Sequence, residues 1–207
     1  MGTWIDHLML AAPTLEQGVE AVRSLTGATA APGGAHPGNG THNALLSLGP
    51  PSYLEVIAPD PAQPDAPPGA FRVEDLGGVP KLVAFAVGCD DIDVAVAALR
   101  HDGVDVGDPF GMTRDRPDGR TLSWRVAFVN GRIGGANPFL ISWDGNDSPT
   151  NDSPPGGRLV ALQAGDPDPG PAAELLTLLG VTVDVEPSDT PWLVATIETP
   201  KGPVELR

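Results

Sequence analysis

Trp4-Ile5-Asp6-His7-Leu8-Met9-Leu10-Ala11-Ala12, followed by Pro13-Thr14 and the spaced apolar residues Leu15, Val19, Val22 and Leu25, decides the fold. The first nine residues are apolar enough for a strand. Thr14, with Gln17 three positions on, suits a helix N-cap, and Gly27 suits the stop after a helix running to about Leu25. A Gly/Pro-rich stretch, Pro32 to Gly40, comes next. Two strand-like runs follow, Thr41 to Leu48 and Ser52 to Ala58, joined by Gly49-Pro50-Pro51. The order is strand, helix, irregular strand, strand, strand.

That order recurs. Lys81 to Val87 is strand-like, and Asp90-Asp91 caps a helix through about His101 whose buried stripe is Ile92, Ala95 or Val96, and Leu99. Gly103 closes it, Val104 to Val106 forms a short strand, and Thr121 to Val129 pairs with Pro138 to Trp143. A third pass runs through strand Leu159 to Ala164, helix Pro171 to Leu179, terminator Gly180, and strands Val181 to Val185, Trp192 to Glu198 and Pro203 to Leu206. The expected organisation is module one over 1–60, a connecting loop over 61–80, module two over 81–145, a linker over 146–157 and a third module-like unit over 158–207. Pro59 to Pro80 is expected to wrap the surface, and Asp144 to Gly157 to act as a linker in preference to a lid. The fold class is α+β: repeated βαβββ modules forming a curved mixed-sheet cup, with the ligand site on its inner wall. Three placements stay open for the third unit. It extends the sheet, pairs with module one, or meets a second subunit as a homodimer.

Hydrophobic residues make up 41% of the 207 and charged ones 19%, enough apolar material to build a core and to set disorder aside. Aromatics are only 5%, so aliphatic side chains must do most of the packing. A net charge of −15 repels phosphate backbones and anionic headgroups. The expectation is therefore no nucleic-acid partner, no membrane partner, and a neutral or cationic small-molecule ligand. Solubility is the plain alternative explanation of the acidity. One cysteine, Cys89, excludes an internal disulfide and a multi-cysteine zinc site, and Asp90 and Asp91 beside it disfavour a nucleophilic thiol. Met1 to Asp6 carries no basic region ahead of a cleavable apolar stretch, so a cytoplasmic location is expected.

Five motifs carry a family resemblance. They are Ile5-Asp6-His7-Leu8, the loop from Gly34 to Asn43, Tyr53-Leu54-Glu55-Val56-Ile57, Pro117-Asp118-Gly119 leading into Leu122-Ser123-Trp124-Arg125-Val126, and Pro138 to Trp143. In that order they resemble the vicinal-oxygen-chelate superfamily of glyoxalases, bleomycin-resistance proteins and extradiol dioxygenases, and its glyoxalase-like domains in particular. The resemblance implies one divalent metal ion (Fe, Mn, Ni or Zn) in the cup, or a site left empty, with ligands on the first and last strands of the modules. His7 and Glu55 match those positions in module one. Module two offers Ala84 and Ile141 there, which cannot ligate. The third unit offers Ala161 and then Glu205, so Glu205 joins a site only if that unit packs against module one or another chain supplies it. Two functions follow. One is a glyoxalase-like enzyme, of lyase, isomerase or dioxygenase type, whose metal polarises a carbonyl or vicinal-oxygen substrate. The other is a metal-free protein that binds or sequesters a small molecule.

Strand parity groups His7 with Ile5 and Met9, and Glu55 with Tyr53 and Ile57, each set facing inward. A carboxylate inside a strand needs a metal, a cation, a proton or hydrogen bonds, unless the strand is an exposed edge. His36, in the Gly-rich loop, and His42, which alternates with Ala44 and Leu46, are candidates for a third ligand or for proton transfer. Tyr53, Trp124, Phe128, Phe139 and Trp143 are candidates for a substrate wall, ordinary core being the alternative. Arg125 pairs with surface acid or reaches a substrate carboxylate. His101, at a helix C-terminus, is structural.

Overall fold

The computed structural model describes residues 2–66, 78–116, 119–145 and 148–207. Residues 67–77 of the first connecting segment, Pro117-Asp118 of one family-like motif, and Asn146-Asp147 of the second connecting segment lie outside the described residues. Module one contains β1 (Thr3–Ala11), α1 (Leu15–Thr26), β2 (Ala31–His36), β3 (Thr41–Ser47) and β4 (Tyr53–Pro59). Module two contains β5 (Lys81–Cys89), α2 (Ile92–His101), β6 (Phe110–Asp115), β7 (Thr121–Phe128) and β8 (Phe139–Ser142). The third unit contains β9 (Arg158–Asp166), α3 (Pro169–Leu178), β10 (Asp184–Pro187), β11 (Trp192–Thr199) and β12 (Gly202–Leu206).

Local chemistry explains the helices. The Thr14 hydroxyl accepts from Gln17 N, and Gly27, left-handed at φ 79, donates back to Arg23 O. Asp91 caps α2 through the backbone N–H groups of Asp93 and Val94. The expected stripe faces the core: Val22 is fully buried, and Leu15, Val19 and Leu25 pack against it half-buried. Gly18 and Thr26 are buried beside them, and a Cβ at Gly18 would lie 2.4 Å from Val56 Cγ1, so the helix approaches β4 where it has no side chain.

The two modules close into one barrel in the order β1-β4-β3-β2-β6-β7-β8-β5. Its two joins are unequal. β1 and β5 pair antiparallel along nearly their whole length, whereas β2 and β6 meet at one bridge, Ala35 to Asp115. Inside lies a core that includes Met9, Tyr53, Ile57, Trp124, Phe139 and Ile141. Outside, Leu8, Leu10, Leu54, Val56 and Phe85 form a second core with the helices and the third unit.

The third unit repeats the chain order but not the spatial order. Its strands run β10-β9-β11-β12, with β10 parallel to β9. In module one the last strand lies beside the first, and Glu55 pairs with Met9. In the third unit β11 separates β12 from β9, so Glu205 sits on the far edge. One face of this sheet, including Leu162, Ala164, Leu193 and Ala195, buries against α3 and the barrel.

Two expectations are corrected. No strand spans 104–106, where Val106 makes only an isolated bridge to Val129. Arg100 donates to Val106 O at 2.9 and 2.7 Å and to Asp108, holding this stretch as a loop, and the strand comes later as β6. The segment after β8 is tied down instead of acting as a free linker. Thr150 Oγ1 donates to Pro51 O, Ser47 N to Pro154 O and Gly156 N to Ser47 O, and Pro149 reaches the inner cavity. Among the described residues, no helix is long and apolar enough to cross a membrane.

Candidate active site

A bulge in β1 starts the site. Its register against β5 slips between Ile5 and His7, so Asp6 is the extra residue. The slip resets parity: His7 and Met9 line the cavity, while Ile5 packs against the outer core, contrary to its grouping with His7. On β4, Tyr53, Glu55 and Ile57 face inward and Leu54 and Val56 outward, as alternation requires. His7 stacks on Tyr53 with ring centroids 4.8 Å apart.

Glu55 is only 7% exposed, so its carboxylate needs partners. Asn43 Nδ2 donates to its Oε1 at 2.6 Å, and Arg114 Nη1 donates to Asn43 Oδ1 at 3.1 Å. The amide thus links a buried cation to a buried anion, and its orientation is set by both. Gly33 permits the link, because a Cβ there would fall 2.1 Å from Asn43 Oδ1 and 2.2 Å from Arg114 Nη1. Burial pushes the Arg114 pKa down, and the Glu55 charge opposes that shift. His7 Nε2 stands 3.7 Å from Glu55 Oε2, and His36 Nε2 stands 3.8 Å from Oε1. Both gaps are too long for hydrogen bonds.

His36 is committed on every side. Its Nδ1 meets Thr41 Oγ1 at 2.9 Å, its Nε2 meets Asn43 Nδ2 at 3.2 Å, and its carbonyl accepts from Gln63 Nε2. Asn43 is the donor to Nε2, which leaves the ring proton on Nδ1 for Thr41. Burial lowers its pKa, against the pull of Glu55. Burial likewise raises the Tyr53 pKa well above the usual phenol value, keeping an O–H donor at the cavity.

The facing wall is aromatic. Trp124 and Trp143 lie 5.6 Å apart by centroids, His7 meets Phe139 edge-on at 5.5 Å, and Phe128 meets Phe139 at 6.4 Å. All five expected wall residues, Tyr53 included, line the cavity, whose volume is about 120 Å³. That is close to the roughly 150 Å³ of an engineered apolar cavity that takes up benzene.

The structure brings together His7, His36 and Glu55, and not the other two candidates. His42 is half-buried on the outer side of β3, near Glu16 and Asp60. Ala44 and Leu46, with which it alternates, belong to the outer core, so its parity points it away from the cavity. Glu205 pairs with Arg207 at 2.6 Å on the third unit's sheet and does not line the cavity. Arg125 pairs with Asp93 and Asp144. The Cys89 thiol, raised to about 12 by burial and then by Asp90 and Asp91, is no nucleophile.

These side chains do not fit a resident divalent metal. Among the described residues no three of His, Cys, Asp and Glu are grouped to hold one. His36 Nε2 and Glu55 Oε1 both face the Asn43 NH₂, a donor backed by the Arg114 guanidinium, where a shared cation would have to sit. Module two presents Ala84 and Ile141 on the inner face, as expected from the sequence.

Asn43, Arg114 and Asp6 were not among the sequence-level candidates. Asn43 was within reach, since it alternates with Leu45 and is polar in a strand interior. Arg114 was hidden because β6 was not recognised. Asp6 needed the bulge.

A family model described as a glyoxalase-like domain matches residues 5–180. Among solved structures, a Staphylococcus aureus protein described as hypothetical superposes with a TM-score of 0.71 at 12% identity, over 100% of this chain and 99% of that one. Methylmalonyl-CoA epimerase of Streptomyces coelicolor, in complex with 2-nitronate-propionyl-CoA, gives 0.49 at 22% identity over 70% and 98% of the two chains. The Mycobacterium tuberculosis epimerase gives 0.48 at 19% over 67% and 86%. At these identities the likeness is one of fold. A search of curated proteins by sequence gave no match.

Proposed function

Since the chain belongs to the family of glyoxalase-like domains, we propose that its cavity is the active site of a vicinal-oxygen-chelate-type enzyme that moves a proton at a carbon beside a carbonyl, as isomerases and lyases do. One observation carries this reading. Glu55 is held on Oε1 by Asn43, while its Oε2 and His7 Nε2 stand 3.7 Å apart in a mostly apolar cavity, neither bonded to the other. Two proton-handling atoms are thus left facing the space a substrate would enter.

The substrate lays an apolar, flat body against Trp124, Phe128, Phe139 and Trp143, with its carbonyl end at the polar wall. One of the His7–Glu55 pair accepts the proton from carbon, and the pair returns it at the new position. Tyr53, its phenol kept protonated by burial, donates to the oxygen on which charge develops. His36 and Thr41 hold Asn43, and Asn43 holds Glu55, so the carboxylate does not swing away. No step in this scheme calls for a cation.

A second reading is favoured by the asymmetry of the cavity: a protein that only sequesters a hydrophobic compound on the aromatic wall. The two separate by experiment. The protein is incubated in D₂O with aryl α-hydroxyketones, with and without Mn²⁺, Fe²⁺, Ni²⁺ or Zn²⁺. Deuterium should enter beside the carbonyl with the wild type and not with Glu55→Gln or His7→Gln. Binding without exchange under every condition would leave the sequestering protein.

A further inference from the structure

Asp6 is 0% exposed and belongs to no part of the scheme above, yet it has three donors. Its Oδ1 lies 2.8 Å from His7 Nδ1. Its Oδ2 accepts from Trp143 Nε1 at 3.0 Å and from Trp4 Nε1 at 3.3 Å. The two indoles serve only Oδ2, and His7 Nδ1 is the partner that meets the other oxygen. That oxygen is aimed at the imidazole by the bulge that makes Asp6 and His7 consecutive buried residues.

The two indole donors on Oδ2 favour the ionised form of Asp6, and an ionised Oδ1 can only accept, which places the His7 proton on Nδ1. Nε2 is left with its lone pair, directed at the cavity and 3.7 Å from Glu55 Oε2. We infer that Asp6 is a positioning residue that fixes the tautomer of His7, so that His7 Nε2 is the atom that accepts the substrate proton. This rests on the proton-transfer reading of the site. In the step, the C–H bond breaks, its proton goes to Nε2, and its electron pair moves to the carbonyl oxygen as an enolate. The imidazolium keeps its Nδ1–H on Asp6, whose charge offsets the one gained. Return of the Nε2 proton to carbon completes the cycle with no net change in the protein.

The test needs no substrate. Uniformly ¹⁵N-labelled full-length protein gives imidazole correlations from only four histidines, and His7→Gln assigns the ring. The wild type should show Nδ1 protonated and Nε2 bare. In Asp6→Asn the amide oxygen serves the two indoles, which turns the NH₂ toward His7 Nδ1, so the proton should move to Nε2. The His36 pattern, set by Thr41 and Asn43 and not by Asp6, should stay as it is and reports that the fold is kept. Trp4→Phe removes one donor from Oδ2 and should leave the tautomer unchanged. A neutral wild-type ring protonated on Nε2, or a tautomer indifferent to Asp6→Asn, overturns the inference. If Asp6→Asn does not fold, the wild-type and Trp4→Phe spectra still decide. Where exchange is detected, Asp6→Asn should lower kcat by about 10²-fold or more with KM little changed. An Nδ1-protonated ring in a protein without exchange chemistry would refute the proposed function and not this assignment. An Nε2-protonated ring in an exchanging protein would do the reverse.

Discussion

The two halves of the barrel use the same order of elements and face one cavity, yet they present opposite chemistry. Module one contributes His7, His36, Asn43 and Glu55; module two contributes Trp124, Val126, Phe139 and Ile141, with Arg114 as its one formal charge among the described lining residues. Ala84 stands as far ahead of the cap of α2 as His7 does ahead of the cap of α1. The difference teaches that the fold offers two equivalent walls and that this chain makes one polar and titratable and the other apolar; under the proposed function the first handles protons and the second binds. It also explains the density of bonds around Glu55. With an apolar wall opposite, the polar wall must satisfy itself, and Arg114 is the one charged group reaching across to help.

The harshest way to break the comparison is to give module two a carboxylate. Ile141→Glu buries a charge beside Trp143 with no Asn43 or Arg114 to meet it. It should lower stability by at least about 3 kcal/mol in a denaturant titration. Adding Ala86→His, which stands two residues ahead of the β5 partner of Ile141 as His7 stands two ahead of the β1 partner of Glu55, gives the new carboxylate an imidazole neighbour and should restore part of the loss; an unaltered midpoint in Ile141→Glu would show that the apolar wall tolerates charge. Arg114→Met should cost about 2–3 kcal/mol, because Asn43 and Glu55 lose the cation that compensates them. Combined with Asn43→Ala, the total should fall well short of the sum, and full additivity would dissolve the chain of bonds drawn here. Phe128→Ala, on a half-buried ring of the aromatic wall, should cost only about 1–2 kcal/mol while weakening uptake of aromatic ligands in a fluorescence titration. The smallest effect concerns pH. Burial holds the His36 pKa below its ordinary value, so the unfolded chain binds that proton more tightly. Stability should be full above the ordinary histidine range and decline as pH falls through it toward the folded value. His36→Gln should flatten that decline, measured as midpoint against pH.

Most of the fold was legible because strand and helix periods are local properties: α2, β3, β4 and β7 fall within a residue or two of their expected positions. β6 was not legible, since only Phe110 and Met112 alternate inward before Arg114 ends the apolar pattern, and the strand is positioned by its pairing with β7. The third unit shows a deeper limit. Its chain order matches the modules, but which strand lies beside the first is a tertiary matter, and Glu205 was matched to Glu55 on order alone. His7 and Glu55 were readable from alternation, as was the aromatic wall. His42 was misassigned although its neighbours Ala44 and Leu46 already marked the outward face. Asp6 and Ile5 were beyond reach because a bulge breaks the period on which the reading depends.

The unequal joins of the barrel make it behave like a clasped bracelet. The hinge is the β1–β5 seam; the clasp is the lone Ala35–Asp115 bridge, reinforced by the Arg114–Asn43 bond that crosses the same gap. Amide hydrogen exchange should therefore be faster along β2 and β6 than along β1 and β5. Because the pin of the clasp is also the amide that grips Glu55, any parting of this join would loosen the carboxylate as well.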